Sequence, residues 1–222
     1  MNAVEQLAEN VLSNPARLND PAPEFTARTT MGVRSLSDYA GKWVLLFSHP
    51  ADFTPVCTTE FISLERARTK FEDLGCEIIG LSADSIYSHL AWIQNIEERF
   101  GVTIGFPIIE DLSLNIAEAY GMIDQTSVST ATIRSVFFID PEGVVRAQVH
   151  YPANVGRSID ELLRVLAALK ATEAQDLASP EGWQPDTTLL KAAPITIDQV
   201  RQSQDLPQAV RKDWYFVEAG NG

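Results

Sequence analysis

The chain has 222 residues, of which 45% are hydrophobic, and this is ample for the packed core of one ordinary domain with an appendage. Its 17 lysines and arginines are outnumbered by 30 aspartates and glutamates, and the net charge of -13 argues against binding to nucleic acid or to anionic membranes. No apolar run approaches the roughly 18 residues of a membrane span, and residues 1–6 lack the basic, then apolar, pattern of a secretory signal.

Predicted strands and helices alternate along the chain up to about residue 177. Short apolar runs predict buried strands, whereas apolar residues three or four positions apart predict helices with one buried face. In chain order these patterns predict a strand at 43–49, a helix at 55–74, a strand at 76–82, a helix at 85–99, a short helix at 113–120, a hairpin of strands at 135–139 and 144–151, and a long helix at 158–177. This order is typical of an α/β fold with a mixed sheet.

The character of the sequence changes after residue 177. Prolines interrupt the periodicity there, and Trp183 and the consecutive aromatic residues 214–216 are apolar side chains that such an irregular segment cannot bury alone. We therefore expect a first domain over 1–177, with its core at about 18–177, and a C-terminal extension over 178–222. The aromatic side chains of the extension would pack against the first domain or a second subunit.

Only two cysteines occur, Cys57 and Cys76, which are too few for a disulfide framework in a chain of this length. Because no secretion signal is predicted, we expect a cytoplasmic protein whose thiols stay reduced. A reduced cysteine is either a small buried apolar residue or a reactive group. Both interpretations have to be weighed for each cysteine.

The most informative segment places a cysteine where a helix begins. Thr54 can cap this helix, and Pro55 then occupies the first helical position, where its missing N–H is not needed. Cys57 falls at the third position, where the helix end favours an anion and so the reactive thiolate. Phe53 and Pro50 are expected to wall the site as a narrow, partly dry pocket. A structural cysteine buried at a helix start is the alternative.

Thiolate formation alone is too small an effect for efficient catalysis. A free thiol is already a few per cent ionised near neutral pH, so complete ionisation gains roughly tenfold to thirtyfold, whereas enzymes reach about a millionfold or more. A cation near Cys57 is therefore required. Arg134 is the candidate because it opens an apolar strand at a sheet edge where sites often lie, although it could mark a solvated strand end. Arg157 could pair with Glu60 or cap surface charge.

The pattern Pro50-x-x-x-Thr54-x-x-Cys57 resembles the active-site signature of the peroxiredoxins, and the wider string from His49 to Glu60 is similar to their 1-Cys branch. Further matches follow in family order over nearly the whole chain: Ala91-Trp92, Phe106-Pro107-Ile108-Ile109, Tyr151-Pro152-Ala153 and Gly156-Arg157. The resemblance implies a thioredoxin-like fold with a mixed central sheet and a C-terminal arm. It also implies the reduction of hydrogen peroxide or organic hydroperoxides, with no cofactor and no metal.

The resemblance also implies a role for each site residue. Cys57 would be the nucleophile that becomes a sulfenic acid, Thr54 would hydrogen-bond the thiolate and the peroxide, and Arg134 would bind and polarise them. The remaining roles would be filled by Pro50 as a shield, His49 in the lining of the pocket, and Glu60 and Arg157 as a supporting shell.

One departure from the two-cysteine branch decides the predicted cycle. That branch has a resolving cysteine before a Pro-x-Gly-Trp segment, where this chain has Ser179, and serine cannot form a disulfide. Cys76 begins an apolar strand and is predicted to be a core residue. We therefore predict a 1-Cys cycle in which an external thiol reduces the Cys57 sulfenic acid, in a homodimer or a larger ring. Residues 40–43 lack the serine of the lipase-like element of some 1-Cys relatives, so no phospholipase activity is expected.

Three alternatives stay open from the sequence. A general thiol–disulfide oxidoreductase using both cysteines would normally carry a Cys-x-x-Cys motif, which is absent. A metal module would draw on the cysteines and on His49, His89 and His150, whose separations match no compact ligand spacing. A holdase chaperone would use the aromatic extension to bind clients, and peroxide consumption that depends on Cys57 would distinguish the enzyme from both binding functions.

Overall fold

The computed structural model describes residues 15–124, 129–173 and 177–219. The chain divides into two units, Met1–Ile159 and Asp160–Gly222. Residues 1–6, on which the prediction about a secretory signal depends, lie outside the described part, and the boundary expected at residue 177 stays a prediction. No helix among the described residues is long and apolar enough to cross a membrane.

The first unit is built on a sheet of seven strands, and this sheet is mixed, as predicted. Its strands are β1 (Thr26–Thr29), β2 (Gly32–Ser35), β3 (Trp43–Ser48), β4 (Cys76–Ser82), β5 (Ile108–Glu110), β6 (Arg134–Ile139) and β7 (Val145–Tyr151). Its helices are a 3₁₀ turn (Leu36–Tyr39), α1 (Pro55–Asp73), α2 (Ile86–Phe100) and α3 (Asn115–Ala119). The order across the sheet is β2-β1-β5-β4-β3-β6-β7, in which β3, β4 and β5 are parallel and the outer pairings are antiparallel.

The central strand β3 is buried on both faces and directs α1 into place. Val44 and Leu46 belong to the core cluster on one face. Phe47 points to the other face, where its ring packs edge-on against Phe61 of α1 at 5.3 Å between ring centres. Successive side chains of a strand alternate between the faces, so one continuous apolar strand serves both layers. The contact with Phe61 fixes the first turns of α1 beside the end of β3.

The second unit begins within a helix that is shorter than predicted. The helix α4 (Ile159–Ala171) does not continue to residue 177. It ends because the hydroxyl of Thr172 turns back and donates to the carbonyl oxygens of Ala168 and Leu169, at 2.8 and 3.2 Å, which satisfies the end of the helix. Residues 174–176 lie outside the described part.

The extension contains more regular structure than its irregular sequence indicates. Its elements are β8 (Leu177–Ala178), β9 (Leu190–Lys191), α5 (Ile197–Gln204), β10 (Arg211–Asp213) and β11 (Phe216–Val217), with β8 paired to β9 and β10 to β11. Trp183 is buried and donates its Nε1 proton to the carbonyl of Thr187 at 2.9 Å. Trp214 and Tyr215 are exposed, so the packing predicted for these two side chains stays a prediction.

Candidate active site

The candidate nucleophile lies in the first turn of α1, just beyond the end of β3. Thr54 has extended backbone angles (φ -106°, ψ 145°) and occupies the N-cap position, with Pro55 at the first helical position as predicted. Cys57 follows two residues later, is fully buried and is not part of a disulfide. The sequence pattern therefore locates the start of the helix and the thiol correctly.

The hydroxyl of Thr54 does not cap the helix. It donates to the carbonyl of Ala51 at 2.9 Å, within the loop that joins β3 to α1. Its carbonyl oxygen accepts from the backbone N–H and the hydroxyl of Thr58, at 3.0 and 2.8 Å. The side-chain cap expected from the sequence is therefore wrong, because a nearer carbonyl in the loop takes the hydroxyl proton. The hydrogen bond from Thr54 to the Cys57 thiolate stays a prediction.

The loop before Thr54 contains a residue in the left-handed region. Phe53 has φ 55°, a conformation that costs a non-glycine residue about 1–2 kcal/mol. The residue is 56% exposed, whereas Pro50 is half-buried. The expectation that Phe53 walls a narrow, partly dry pocket is therefore not met, because more than half of this residue is exposed.

Arg134 brings a cation to the thiol from a distant part of the sequence. The antiparallel pairing of β3 with β6, in which Phe47 lies opposite Val136, places the start of β6 beside the end of β3. From there Arg134 Nη1 reaches to 3.3 Å from Cys57 Sγ. Its Nε and Nη2 atoms donate to the carbonyl of Ala153, at 3.0 and 2.8 Å. The guanidinium is thus buried and held, and it does not mark a solvated strand end.

Glu60 joins two arginines beneath the thiol. Its Oε2 accepts from Arg134 Nη1 and from Arg157 Nη2, both at 2.7 Å. Its Oε1 accepts from the backbone N–H and the Nε of Arg157, at 2.8 and 2.9 Å. Arg157 also donates through Nη1 to the carbonyls of Ser48 and Ser135. Of the two possibilities for Arg157, pairing with Glu60 is confirmed and capping of surface charge is wrong.

The charges of this cluster favour an anion at Cys57. Burial by itself raises the pKa of Glu60, but the hydrogen bonds and charge of Arg157, with the charge of Arg134, outweigh burial and hold that pKa below its ordinary value. The carboxylate therefore carries one negative charge between two guanidinium groups. A thiolate at Cys57 balances the remaining positive charge, and a buried charge is stable only when it is paired and hydrogen-bonded.

Glu60 makes the free energy of unfolding vary with pH in the acidic range. Because its folded-state pKa lies below the ordinary value of 4.5, its contribution is complete above that value and is lost as the pH falls through the folded-state pKa. We expect Glu60→Gln to remove this part of the pH dependence, although the variant is less stable at neutral pH. Urea unfolding at a series of pH values below about 5 measures the slope. Equal slopes for wild type and Glu60→Gln would contradict the prediction.

A second buried polar cluster lies beside the same helix. Asp52 Oδ1 is 2.9 Å from His49 Nε2, and Asp52 Oδ2 is 2.8 Å from His89 Nδ1. The ring of His49 packs edge-on against Phe61 at 4.8 Å. Asp52 was not named from the sequence, although its spacing of three from His49 was a signal. His89 was named only among the ligands of the metal module, and its place beside Asp52 was not predicted.

Of the ligands considered for a metal module from the sequence, the described structure brings together two, His49 and His89, and Asp52 joins them. There, His49, Asp52 and His89 are the one group with ligand atoms close enough for a metal, all within 4.8 Å. In this structure each carboxylate oxygen of Asp52 faces one imidazole nitrogen at hydrogen-bond distance, so the three side chains are paired with one another. Neither cysteine belongs to the group.

Cys76 lies at the opposite end of the central strands from the site. It is the first residue of β4 and pairs with Trp43, the first residue of β3. Cys57, in contrast, lies beyond Ser48, the last residue of β3. Five strand steps at about 3.3 Å each separate these ends by roughly 16 Å, far beyond the ~7 Å limit between the Cα atoms of a disulfide. Cys76 is also buried, as predicted for a core cysteine.

Comparison with known proteins agrees with this fold and site. Residues 18–148 match the AhpC/TSA family. A peroxiredoxin of Thermoplasma volcanium is 49% identical over 202 residues, which cover 91% of this chain and 98% of that relative. The structure of a yeast mitochondrial 1-Cys peroxiredoxin shares 37% identity with a TM-score of 0.79 and covers 91% of this chain and 99% of its own. The structure of a mutant of peroxiredoxin 6 from Arenicola marina shares 30% identity with a TM-score of 0.79 and covers 93% of this chain and 99% of its own.

The chain therefore belongs to the AhpC/TSA family, among its peroxiredoxins. It is an oxidoreductase, a thiol-dependent peroxidase that takes a hydroperoxide and a thiol as its substrates. The predicted family, fold and activity are confirmed.

Proposed function

We propose that the chain reduces hydrogen peroxide and organic hydroperoxides through a Cys57 sulfenic acid and that an external thiol recycles it. The observation that carries this proposal is the 3.3 Å contact between Arg134 Nη1 and Cys57 Sγ, in a guanidinium that is also bonded to Glu60. Such a contact stabilises a thiolate in a buried site, and the thiolate is the nucleophilic form of cysteine.

In the first step, the Cys57 thiolate attacks the terminal oxygen of the hydroperoxide. The S–O bond forms as the O–O bond breaks, the sulfur is oxidised to a sulfenic acid, and the leaving alkoxide or hydroxide takes up a proton. Arg134 would stabilise the negative charge as it moves from sulfur to the leaving oxygen. Thr54 would donate a second hydrogen bond after turning from Ala51, and Pro50 would shield the site from water.

The supporting residues hold these groups in position. Glu60 receives Arg134 and Arg157 on the same oxygen, so the arginine that faces the thiol is fixed by a second ion pair. Arg157 anchors the arrangement to the backbone of β3 and β6 through its contacts with two carbonyls. His49 would line the peroxide site from the end of β3. Fixed donors of this kind reduce the reorganisation needed in the transition state.

In the second step, an external thiol displaces hydroxide from the sulfenic acid, and water and a mixed disulfide form. A second thiol attacks the mixed disulfide and releases Cys57. The separation between Cys57 and Cys76 supports an external partner, as does the lack of further cysteines in the sequence. The structure of the yeast relative concerns thiol resolution through glutathione and thioredoxin systems, which also supports an external thiol here.

A trapping experiment tests this cycle. One equivalent of peroxide is added to the reduced wild type in the presence of dimedone, which labels sulfenic acids. We expect mass spectrometry to show the label on Cys57 and no Cys57–Cys76 bond, because no thiol of the chain reaches the sulfenic acid. Cys76→Ser should label identically. A stoichiometric disulfide between the two cysteines would overturn the 1-Cys cycle.

We also propose that the enzyme is a cytoplasmic homodimer, or a larger ring, in which residues 178–222 form the packing arm. The extension exposes large apolar side chains, with Ile195 at 90% and Ile197 at 64%, and such surface supports a contact with a second subunit. Light scattering on the full chain measures the oligomeric state. A monomer at micromolar concentration would contradict the proposal that residues 178–222 pack against a second subunit.

A further inference from the structure

The loop 49–54, which joins β3 to α1, contains a strained residue directly before Thr54. Phe53 has φ 55°, in the left-handed region that residues other than glycine rarely adopt. Thr54 follows with extended backbone angles and begins α1. A rare backbone conformation persists only where the surrounding structure holds it. The neighbouring elements therefore have to supply contacts that fix this loop.

Asp84, in the segment between β4 and α2, makes one such contact. Its Oδ2 atom accepts a hydrogen bond from the backbone N–H of Asp52 at 2.9 Å. A hydrogen bond from a backbone N–H to a carboxylate is charge-assisted and about twice as strong as one between neutral groups. Asp52 is buried and directly precedes Phe53, so this bond holds the loop at the residue before the left-handed turn.

The carboxylate of Asp84 is oriented by the last residue of β4. The hydroxyl of Ser82, which is fully buried, donates to Asp84 Oδ2 at 2.8 Å and accepts from the backbone N–H of Asp84 at 3.1 Å. Because β3 and β4 are parallel, with Ser48 opposite Leu81, the loop and Asp84 follow the same end of neighbouring strands. The position of the carboxylate is thus set by the sheet and not by the loop that it binds.

The loop determines where the hydroxyl of Thr54 lies. This hydroxyl donates to the carbonyl of Ala51 at 2.9 Å, so donor and acceptor both belong to the loop. Cys57 follows Thr54 by three residues, in the first turn of α1. If Phe53 relaxed to an ordinary negative φ, the chain would enter the helix in another direction, and the hydroxyl of Thr54 would move away from its place near the thiol.

We propose that Asp84 is a positioning residue for the reaction with hydroperoxide, because it holds the left-handed turn at Phe53 and so keeps Thr54 beside Cys57. Asp84 acts through the backbone N–H of Asp52. The proposal rests on the proposed peroxidase function for its effect on the rate, whereas the hydrogen bond itself can be measured without peroxide.

Amide hydrogen exchange of the reduced protein tests the hydrogen bond. We expect the N–H of Asp52 to be protected in the wild type and to exchange about tenfold faster or more in Asp84→Ala, because its charged acceptor is lost. Asp84→Asn should keep the protection, since the amide oxygen accepts from the same N–H. An unprotected Asp52 in the wild type, or equal exchange in wild type and Asp84→Ala, would overturn the proposal whether or not the protein reduces peroxide.

Stopped-flow measurement of the rate constant for peroxide tests the positioning role. We expect a fall of about tenfold in Asp84→Ala, the population change that corresponds to the cost of a left-handed residue, and rescue to within about threefold of wild type in Asp84→Asn. An unchanged rate in Asp84→Ala, or losses as large in Asp84→Asn, would overturn the role.

Glu110→Ala is the matched control for Asp84→Ala. Glu110 lies opposite Ser82 on the neighbouring strand β5, and its Oε1 atom accepts from the backbone N–H of Ile86 in α2 at 2.9 Å. The variant therefore removes the same kind of bond at the same end of the sheet, but from α2 and not from the loop. Its rate constant should stay within about twofold of wild type. Equal losses in Glu110→Ala and Asp84→Ala would contradict a specific effect on the loop.

Phe53→Gly distinguishes positioning from a general loss of stability. Glycine adopts the left-handed conformation without steric cost, so the loop no longer needs the bond to Asp84. We expect Asp84→Ala to lower the rate constant about tenfold when Phe53 is present and less than about twofold in the Phe53→Gly background. If Asp84→Ala does not fold, Ser82→Ala, which removes the group that orients the carboxylate, replaces it in both backgrounds. Equal falls in the two backgrounds would overturn the proposal, whereas absence of peroxide turnover in the wild type would refute the proposed function.

Discussion

Replacing Cys57 by serine is expected to lower peroxide consumption by about a thousandfold or more, because the nucleophile is lost. A serine hydroxyl stays protonated near neutral pH, and its oxygen cannot take up a second oxygen as sulfur does. Arg134, Glu60 and Arg157 remain in place in this variant, so the cation alone is not sufficient for turnover. Consumption of hydrogen peroxide with dithiothreitol as the reductant measures the effect.

Cys76→Ser is the matched control for this experiment. The substitution is the same, but the side chain lies at the opposite end of the central strands, so the rate should stay within about twofold of wild type when the variant is folded. Circular dichroism of both variants checks the fold. Peroxide consumption by Cys57→Ser at the wild-type rate would show that the nucleophile is misassigned.

Arg134→Lys is expected to lower the rate constant for peroxide about a hundredfold, which is the effect of losing one fixed donor in a preorganised site. Lysine keeps the positive charge but lacks the planar fork that contacts Cys57, Glu60 and Ala153 at the same time. The ammonium group of lysine can contact the Glu60 carboxylate or the Cys57 thiol, but not both at once. Stopped-flow measurements of the reduced enzyme with peroxide give the rate constant directly.

Arg146→Lys provides the control for the change from arginine to lysine. Arg146 lies on β7 of the same sheet and pairs with Asp140 at the surface, 40% exposed, so its replacement should alter the rate by less than about twofold. Equal losses in Arg134→Lys and Arg146→Lys would indicate a general effect on the fold. An unchanged rate in Arg134→Lys would show that charge alone is sufficient at this position.

The strongly periodic segments of the fold were predictable, and the short strands were not. β3, α1, β4 and α2 lie within two residues of their predicted bounds, because each has an apolar run or an apolar face. Gly101 ends α2 in a left-handed conformation, as a helix-ending glycine does. The strands β1, β2 and β5 have three or four residues each and owe their form to the neighbours that they pair with.

The site shows the same division between local and long-range information. The start of α1 at Pro55 follows from neighbouring residues, so the location of Cys57 was predictable. Arg134 is 77 positions away, and only the antiparallel pairing of β3 with β6 brings it to the thiol. The burial of His89 beside Asp52 was not predicted because the burial of a polar side chain depends on partners from other elements, here Asp52 and Ile109.

The parallel register of β3 with β4 also limits how long one enzyme molecule can work. Each hydroperoxide takes two electrons, and the register leaves Cys76 too far away to supply a thiol from within the chain. The sulfenic acid must therefore wait for a collision with a reducing molecule. During that wait a second hydroperoxide can oxidise the sulfur to the sulfinic acid, which thiols do not reverse. The average number of catalytic cycles before inactivation is then set by the ratio of two encounter rates, that of the thiol and that of the second peroxide.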